Sequence, residues 1–160
     1  MQLVGANTYS GTTYIEGATL QADDGTGINV DSHVQFNGSS TIGANLSNDT
    51  SGVWLTSGTI ERRIGMLSTQ ISWSGSGGFA AGDGGLELNF GAVVNGTTRQ
   101  NLTWNSGGFV TAGSTLLFGS DYGTGVVTLL NNVDLNGLNG RIAVYDNTAV
   151  TTDYAVLAGK

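Results

Sequence analysis

Hydrolysis of a glycosidic bond needs two carboxylates flanking it, and Asp23-Asp24, Glu61, Asp83 and Glu87 are the acidic candidates in this sequence. Asp23-Asp24 precedes Gly25-Thr26-Gly27 and reads as a turn. Neighbours on a strand point to opposite faces, so adjacency alone does not make the pair a dyad. His33 is the only imidazole. Any histidine-dependent triad would have to use it, yet no G-x-S-x-G elbow accompanies it. Its D-S-H-V context reads as a surface or corner position. One His and no Cys leave no zinc ligand set.

The glycine-rich stretches carry weaker signals. Gly75-Ser76-Gly77-Gly78-Phe79-Ala80 fits G-x-G-x-x-A, but a dinucleotide fingerprint must open a helix and no helical pattern follows. Gly82-Asp83-Gly84-Gly85 matches a fragment of the calcium-binding nonapeptide repeats, whose sites need tandem copies. The only lysine, Lys160, excludes a phosphate-loop lysine. Trp54, Trp73, Trp104 and the five tyrosines could build a sugar-stacking platform. Trp73 and Trp104 share parity with Ile71 and Leu102, which favours core or corner packing for both. The sequons at Asn45 and Asn101 follow from an Asn/Thr-rich composition. The expectation is therefore no catalytic, cofactor-binding or metal-ligating residue, and no enzyme.

The elements that would carry these residues are strands. Glycine interrupts almost every window of ten, at about 1 kcal/mol each against a helix interior. Apolar residues alternate instead: Leu86, Leu88 and Phe90; Val34 and Phe36; Ile71 and Trp73; Ile142 and Val144. Val127, Leu129, Val133 and Leu135 share one parity, with Asn131 the exception. Each strand is expected to bury one face. Turn pairs separate them at Asp24-Gly25, Asn37-Gly38, Asp83-Gly84, Asn95-Gly96, Asn136-Gly137 and Asn139-Gly140. Such pairs serve hairpins and solenoid corners alike.

An internal recurrence favours stacking. Ile71–Gly82 (I-S-W-S-G-S-G-G-F-A-A-G) resembles Leu102–Gly113 (L-T-W-N-S-G-G-F-V-T-A-G), aligning Trp73 with Trp104, Phe79 with Phe109 and Gly82 with Gly113. A period of about 30 residues suggests units that bury their apolar faces only against neighbours. The absence of proline agrees, because a strand paired on both sides needs every donor.

Composition narrows the partners. Gly fills 27 positions and charged residues only 11%, well below the roughly 25% of ordinary domains. A net charge of −7 argues against nucleic acid, which demands clustered Lys and Arg. Arg62-Arg63 is the only basic pair. No apolar run approaches a membrane span, and no signal-peptide pattern follows Met1. An exported protein would carry this chain as a mature or excised segment.

Leu3–Gln21, L-V-G-A-N-T-Y-S-G-T-T-Y-I-E-G-A-T-L-Q, resembles the autotransporter-associated β-strand repeat of bacterial passenger and long secreted repeat proteins. Trp73–Gly82, Gly113–Ser120, Val133–Asn147 and Thr152–Gly159 are similar to segments between such motifs. The resemblance implies a right-handed parallel β-helix on a cell surface, with structural or adhesive work. The chain lacks the translocator barrel of the complete proteins, so it is not expected to secrete itself. Within the motif, Asn7 and Ser10-Gly11 suit a corner, and Ile15, Ala18 and Leu20 suit inward positions.

The expected fold is all-β: a single β-solenoid segment over residues 1–160, with about six to eight rungs of about 20 to 25 residues each. A β-sandwich or jelly roll is the alternative. The expected function is a structural, adhesive repeat module of a bacterial surface or secreted fibre, stacking head to tail on copies of itself and meeting surface glycans. A carbohydrate-binding module and a polysaccharide-degrading β-helix enzyme are the rival readings. An ice-binding solenoid ranks last, because no regular T-x-T ladder appears.

Overall fold

Glycine and asparagine set where the strands stop. Gly17, Gly25, Gly113 and Gly137 take positive φ, as does Asn136 at 54°, whereas Gly84 and Gly85 do so inside a strand, where its ladder slips register. These are the left-handed positions that glycine adopts freely and asparagine tolerates. The expected turns at Asp24-Gly25, Asp83-Gly84 and Asn136-Gly137 thus bend through the left-handed region, whereas Asn37-Gly38 and Asn139-Gly140 turn without it. The computed structural model describes residues 1–39, 51–91 and 99–159. The Asn95-Gly96 pair and the Asn45 sequon lie outside the described residues.

Between the turns run thirteen strands, with no helix among the described residues. They are β1 (Gln2–Leu3), β2 (Thr13–Ile15), β3 (Thr19–Ala22), β4 (Val34–Phe36), β5 (Gly52–Ile60), β6 (Ile71–Trp73) and β7 (Gly77–Leu88). β8 (Leu102–Thr103), β9 (Thr115–Phe118), β10 (Val127–Leu129), β11 (Val133–Asp134), β12 (Arg141–Val144) and β13 (Ala155–Leu157) follow. The protein is all-β.

Every ladder between these strands is parallel. The largest sheet runs β1-β3-β5-β7-β10-β13, with β9 pairing the start of β7 and β12 pairing β9. A second sheet runs β2-β4-β6 and a third pairs β8 with β11. In each, later strands lie further from β1, β2 or β8, and from β2 to β7 the chain alternates between the first two sheets. Parallel neighbours need a crossover of a dozen or more residues. Here strands and turns supply it. Hairpins would give antiparallel pairs, which occur only as isolated bridges such as Gly38 with Ser76.

Register exposes a correction to the sequence period. Gln2 pairs with Gln21, 19 residues on, whereas Leu86 pairs with Val127, 41 residues on. The spacing is therefore not a uniform 20 to 25. Phe79 stands opposite Phe118, not Phe109, whereas the Trp73 amide donates to the carbonyl of Gly108 and its ring lies 5.3 Å from Phe109. The two copies therefore touch, but out of the register in which their sequences align. Turns of unequal length between the strands separate the two periods.

The inward positions form columns through the sheet. One reads Leu20, Trp54, Phe79, Phe118, Val144, another Ile60, Leu88, Leu129, Leu157, and a third Ile15, Phe36, Trp73. Phe79 packs at the centre, its ring 5.1 Å from Phe36, 5.9 Å from Trp54 and 5.8 Å from Phe90. Burying each such side chain stabilises by about 1.5–3 kcal/mol. Where strands approach closely no side chain fits. A Cβ on Gly77 would meet the Gly52 carbonyl oxygen at 2.6 Å and the Phe36 ring, so this glycine of the nucleotide-loop match is there for close packing.

Two expectations about faces need correcting. Ala18 is exposed, not inward, because Gly17 turns the chain at φ 66° and resets the alternation before buried Leu20. The strands β5 and β9 are not buried on one face alone. Val53, Leu55, Ala80 and Leu117, on the opposite parity to Trp54, Phe79 and Phe118, make a second buried cluster against Tyr145.

Candidate functional site

Asn131, which broke the apolar alternation, is the clearest case of a polar residue placed by its neighbours. It is buried on the inward side beyond Leu129. Its Oδ1 accepts the Phe90 amide at 2.9 Å, and its Nδ2 donates to the carbonyls of Phe90 and Gln100, both at 2.8 Å. Backbone groups on an interior bend must find partners, and this side chain supplies them. Its role is structural.

Arg62 does similar work at another corner. Its Nε and Nη2 donate to Asp24 Oδ1 at 2.8 and 2.6 Å. Nη1 reaches the Ser32 carbonyl at 2.6 Å and Nη2 the Asn29 carbonyl at 2.8 Å. The guanidinium also lies 5.9 Å from the Trp54 ring centroid. Its side chain is 7% exposed. The Asp24 and Glu61 positions line one cleft of about 510 Å³ together with Asp31, Arg62 and Arg63. Asp24 is committed to the arginine, and Asp31 and Glu61 are the other carboxylates of the cleft.

The remaining carboxylates go elsewhere. Glu87 points outward between Thr59 and Thr128. Asp83 lies beside Gly84 and accepts from the Thr124 hydroxyl at 2.7 Å. Asp23 serves the turn through its carbonyl, which accepts the amides of Thr26 and Ile28. No cluster of three His, Cys, Asp or Glu side chains suited to a metal occurs among the described residues.

His33 is buried, not at the surface. Its Nε2 lies 3.0 Å from the Ser72 hydroxyl. Burial holds the imidazole below its ordinary pKa of 6.5, opposed in part by a hydrogen bond with the Gly65 backbone. Ser72 is fully buried, so this Ser–His contact meets no substrate. The indoles of Trp54, Trp73 and Trp104 are likewise interior. Trp54 Nε1 donates to the Ala22 carbonyl at 2.8 Å and Trp73 Nε1 to that of Gly77 at 2.9 Å. None is available to stack on a sugar, in keeping with the parity of Trp73 and Trp104. The exposed aromatics are Tyr9, Tyr14, Tyr122 and Tyr154.

Two surfaces remain that could meet another molecule. One is a lateral groove of about 970 Å³ beside β1, β3 and β5, with Tyr122 at its rim. The other is the outer edge formed by β12 and β13, where the two columns of the largest sheet end. Leu157 is 53% and Val144 57% exposed, although Leu129 and Phe118 one strand earlier are buried. Ile142 and Leu135 are exposed on the same side of the stack. In the sequence Leu135, Ile142 and Val144 read only as inward-facing, because alternation reports facing and not position in a stack.

No family model, curated protein or solved structure matches this chain.

Proposed function

We propose that the chain is a stretch of right-handed parallel β-solenoid serving as a structural, adhesive repeat module of a bacterial surface or secreted fibre. The observation that carries the proposal is the outer edge: β11, β12 and β13 each pair with one described strand only, and their inward residues continue buried columns into solvent. Unpaired strand edges recruit further strands, and exposed apolar patches mark contact surfaces. A further copy of the unit would supply both partners, and a contact between unlike ends repeats without closing.

Several other features support this reading. Right-handed crossovers prevail between parallel strands. The Leu3–Gln21 motif resembles a surface-repeat sequence, which is the support for an extracellular setting. Its Asn7 does hold a corner: the amide donates to the Thr26 carbonyl at 3.0 Å and Nδ2 to that of Gly27 at 2.9 Å.

The test is association against concentration by light scattering and electron microscopy. End-to-end oligomers that lengthen with concentration are expected, and Leu157→Asp with Ile142→Asp should abolish them. A chain that stays monomeric at high concentration, or oligomers indifferent to those substitutions, would sink the proposal.

A further inference from the structure

The lateral groove is separate from the stacking edge and has its own chemistry. Its floor is sheet: Gln21 stands between Gln2 and Leu55 in register, on strands about 4.8 Å apart. The side chains of Gln2 and Gln21 make no hydrogen bond among the described residues. Leu55, next in register, is buried in the second cluster and closes the floor beneath these amides.

The opposite wall is the 119–124 segment, which is fastened at several points. Gly119 N donates to the Phe79 carbonyl at 2.8 Å and Thr124 N to that of Ala81 at 2.9 Å. The Thr124 hydroxyl holds Asp83 at 2.7 Å. Asn147 Nδ2 donates to the Gly123 carbonyl and the Thr152 hydroxyl to that of Thr124, each at 2.8 Å. On this wall Tyr122 is 70% exposed, and Asp121 beside it makes no side-chain hydrogen bond among the described residues.

A fixed wall that presents an uncovered phenol ring, on a groove also lined by uncommitted primary amides, is a built recognition surface. It costs little ordering on binding, because the scaffold is already held.

We infer that this groove binds a neutral oligosaccharide. Amides and carboxylates are planar donors and acceptors suited to the vicinal hydroxyls of a pyranose. The Tyr122 ring offers apolar area to its C–H faces. The charge selects among sugars. Asp83 and Asp121 line the groove. Among the described residues the one cation on its lining is the Met1 ammonium, which donates to the Thr19 carbonyl at 3.1 Å and is outweighed by the two carboxylates. Uronates, phosphates and other anions are therefore repelled. A peptide cannot add as a strand to β3 or β5, which are paired on both sides, and the open side of β1 is the edge at which the decapeptide control tests such addition.

The experiment is a neutral-glycan array followed by saturation-transfer NMR and calorimetry of the hits, with cellotetraose, maltotetraose and chitotetraose included throughout. Tetragalacturonate and a lysine-rich decapeptide serve as charged controls. At least one neutral glycan should bind saturably, and tetragalacturonate should not. Tyr122→Ala should weaken binding about tenfold, equal to about 1.4 kcal/mol, with an unchanged thermal midpoint. Gln21→Ala should weaken it by a smaller factor.

No saturable neutral glycan, tighter binding of tetragalacturonate or of the peptide, or affinity untouched by both substitutions would overturn the inference. The edge variants Leu157→Asp and Ile142→Asp should leave glycan binding intact, and Tyr122→Ala should leave association intact. Failure of either proposal is therefore read separately.

Discussion

Leu88 and Leu157 occupy the same column, two strands apart, with Leu129 between them. Leu88 is 1% exposed and Leu157 53%. Both face inward, both belong to strands of the same sheet, and both are leucines. What differs is the neighbour: Leu88 has β5 on one side and β10 on the other, whereas Leu157 has β10 alone. In a stack, burial is a property of what lies above and below, and the last strand in a column keeps the sequence of a core strand without its environment.

That contrast can be broken by substitution. Leu88→Ala should cost about 2–5 kcal/mol, because it opens a cavity in a packed column. Leu157→Ala should cost under about 1 kcal/mol in the dilute chain, because its side chain is already half in water. Urea midpoints of the two variants measure the difference. Equal costs would show that the outer edge is covered in solution at the concentrations used.

A polar corner inside the stack should come next in size. Arg62→Met keeps the stem over Trp54 but removes the donors to Asp24, Ser32 and Asn29. The cost should be about 2 kcal/mol, read by chemical denaturation. Arg62→Lys should recover only part of it, because one ammonium cannot span these acceptors in the fork geometry.

Thr56 sharpens the comparison from the opposite direction. It lies on the inward parity of Trp54 and is buried, and its hydroxyl finds no hydrogen-bond partner. Thr56→Val keeps the shape and removes the unmet polar atom, so a gain of about 1 kcal/mol in denaturant stability is expected.

The smallest effect should come from His33, between the strand pairs β2–β4 and β4–β6. Its pKa is held below 6.5 in the fold by burial. As the pH falls the unfolded chain therefore takes up the proton first, and stability declines below pH 6.5 until the lower folded value is passed. Thermal midpoints between pH 7.5 and 5 should fall for the native chain. They should fall less for His33→Gln, which loses this protonation step and keeps a donor for Ser72.

How far the sequence could be read follows from what alternation reports. The facing of Val34, Phe36, Ile71, Trp73, Leu86 and Leu88 was legible, since period two is local and these strands run between clear turns. The outer cluster of Val53, Leu55, Ala80 and Leu117 was not, because burial on a second face needs a covering layer that local sequence does not encode. The groove escaped for the same reason. Gln21, Asp83 and Tyr122 lie far apart in the chain, and only the register of β3, β5 and β7 with the 119–124 turn brings them to one surface.

Residue chemistry by itself determined that this protein is built of short strands and glycine turns, and that without cysteine it has no disulfide and no thiolate ligand. Those conclusions depend on backbone preferences and on which side chains exist. Tertiary structure decided which strand stands beside which, at offsets that vary from 19 to 41 residues. It placed Arg62 on Asp24, Asn131 on Phe90 and Gln100, and Leu157 at an open edge. Parallel pairing joins residues whose spacing is set by the lengths of the intervening turns, and turn length carries no sequence periodicity from which register could be read.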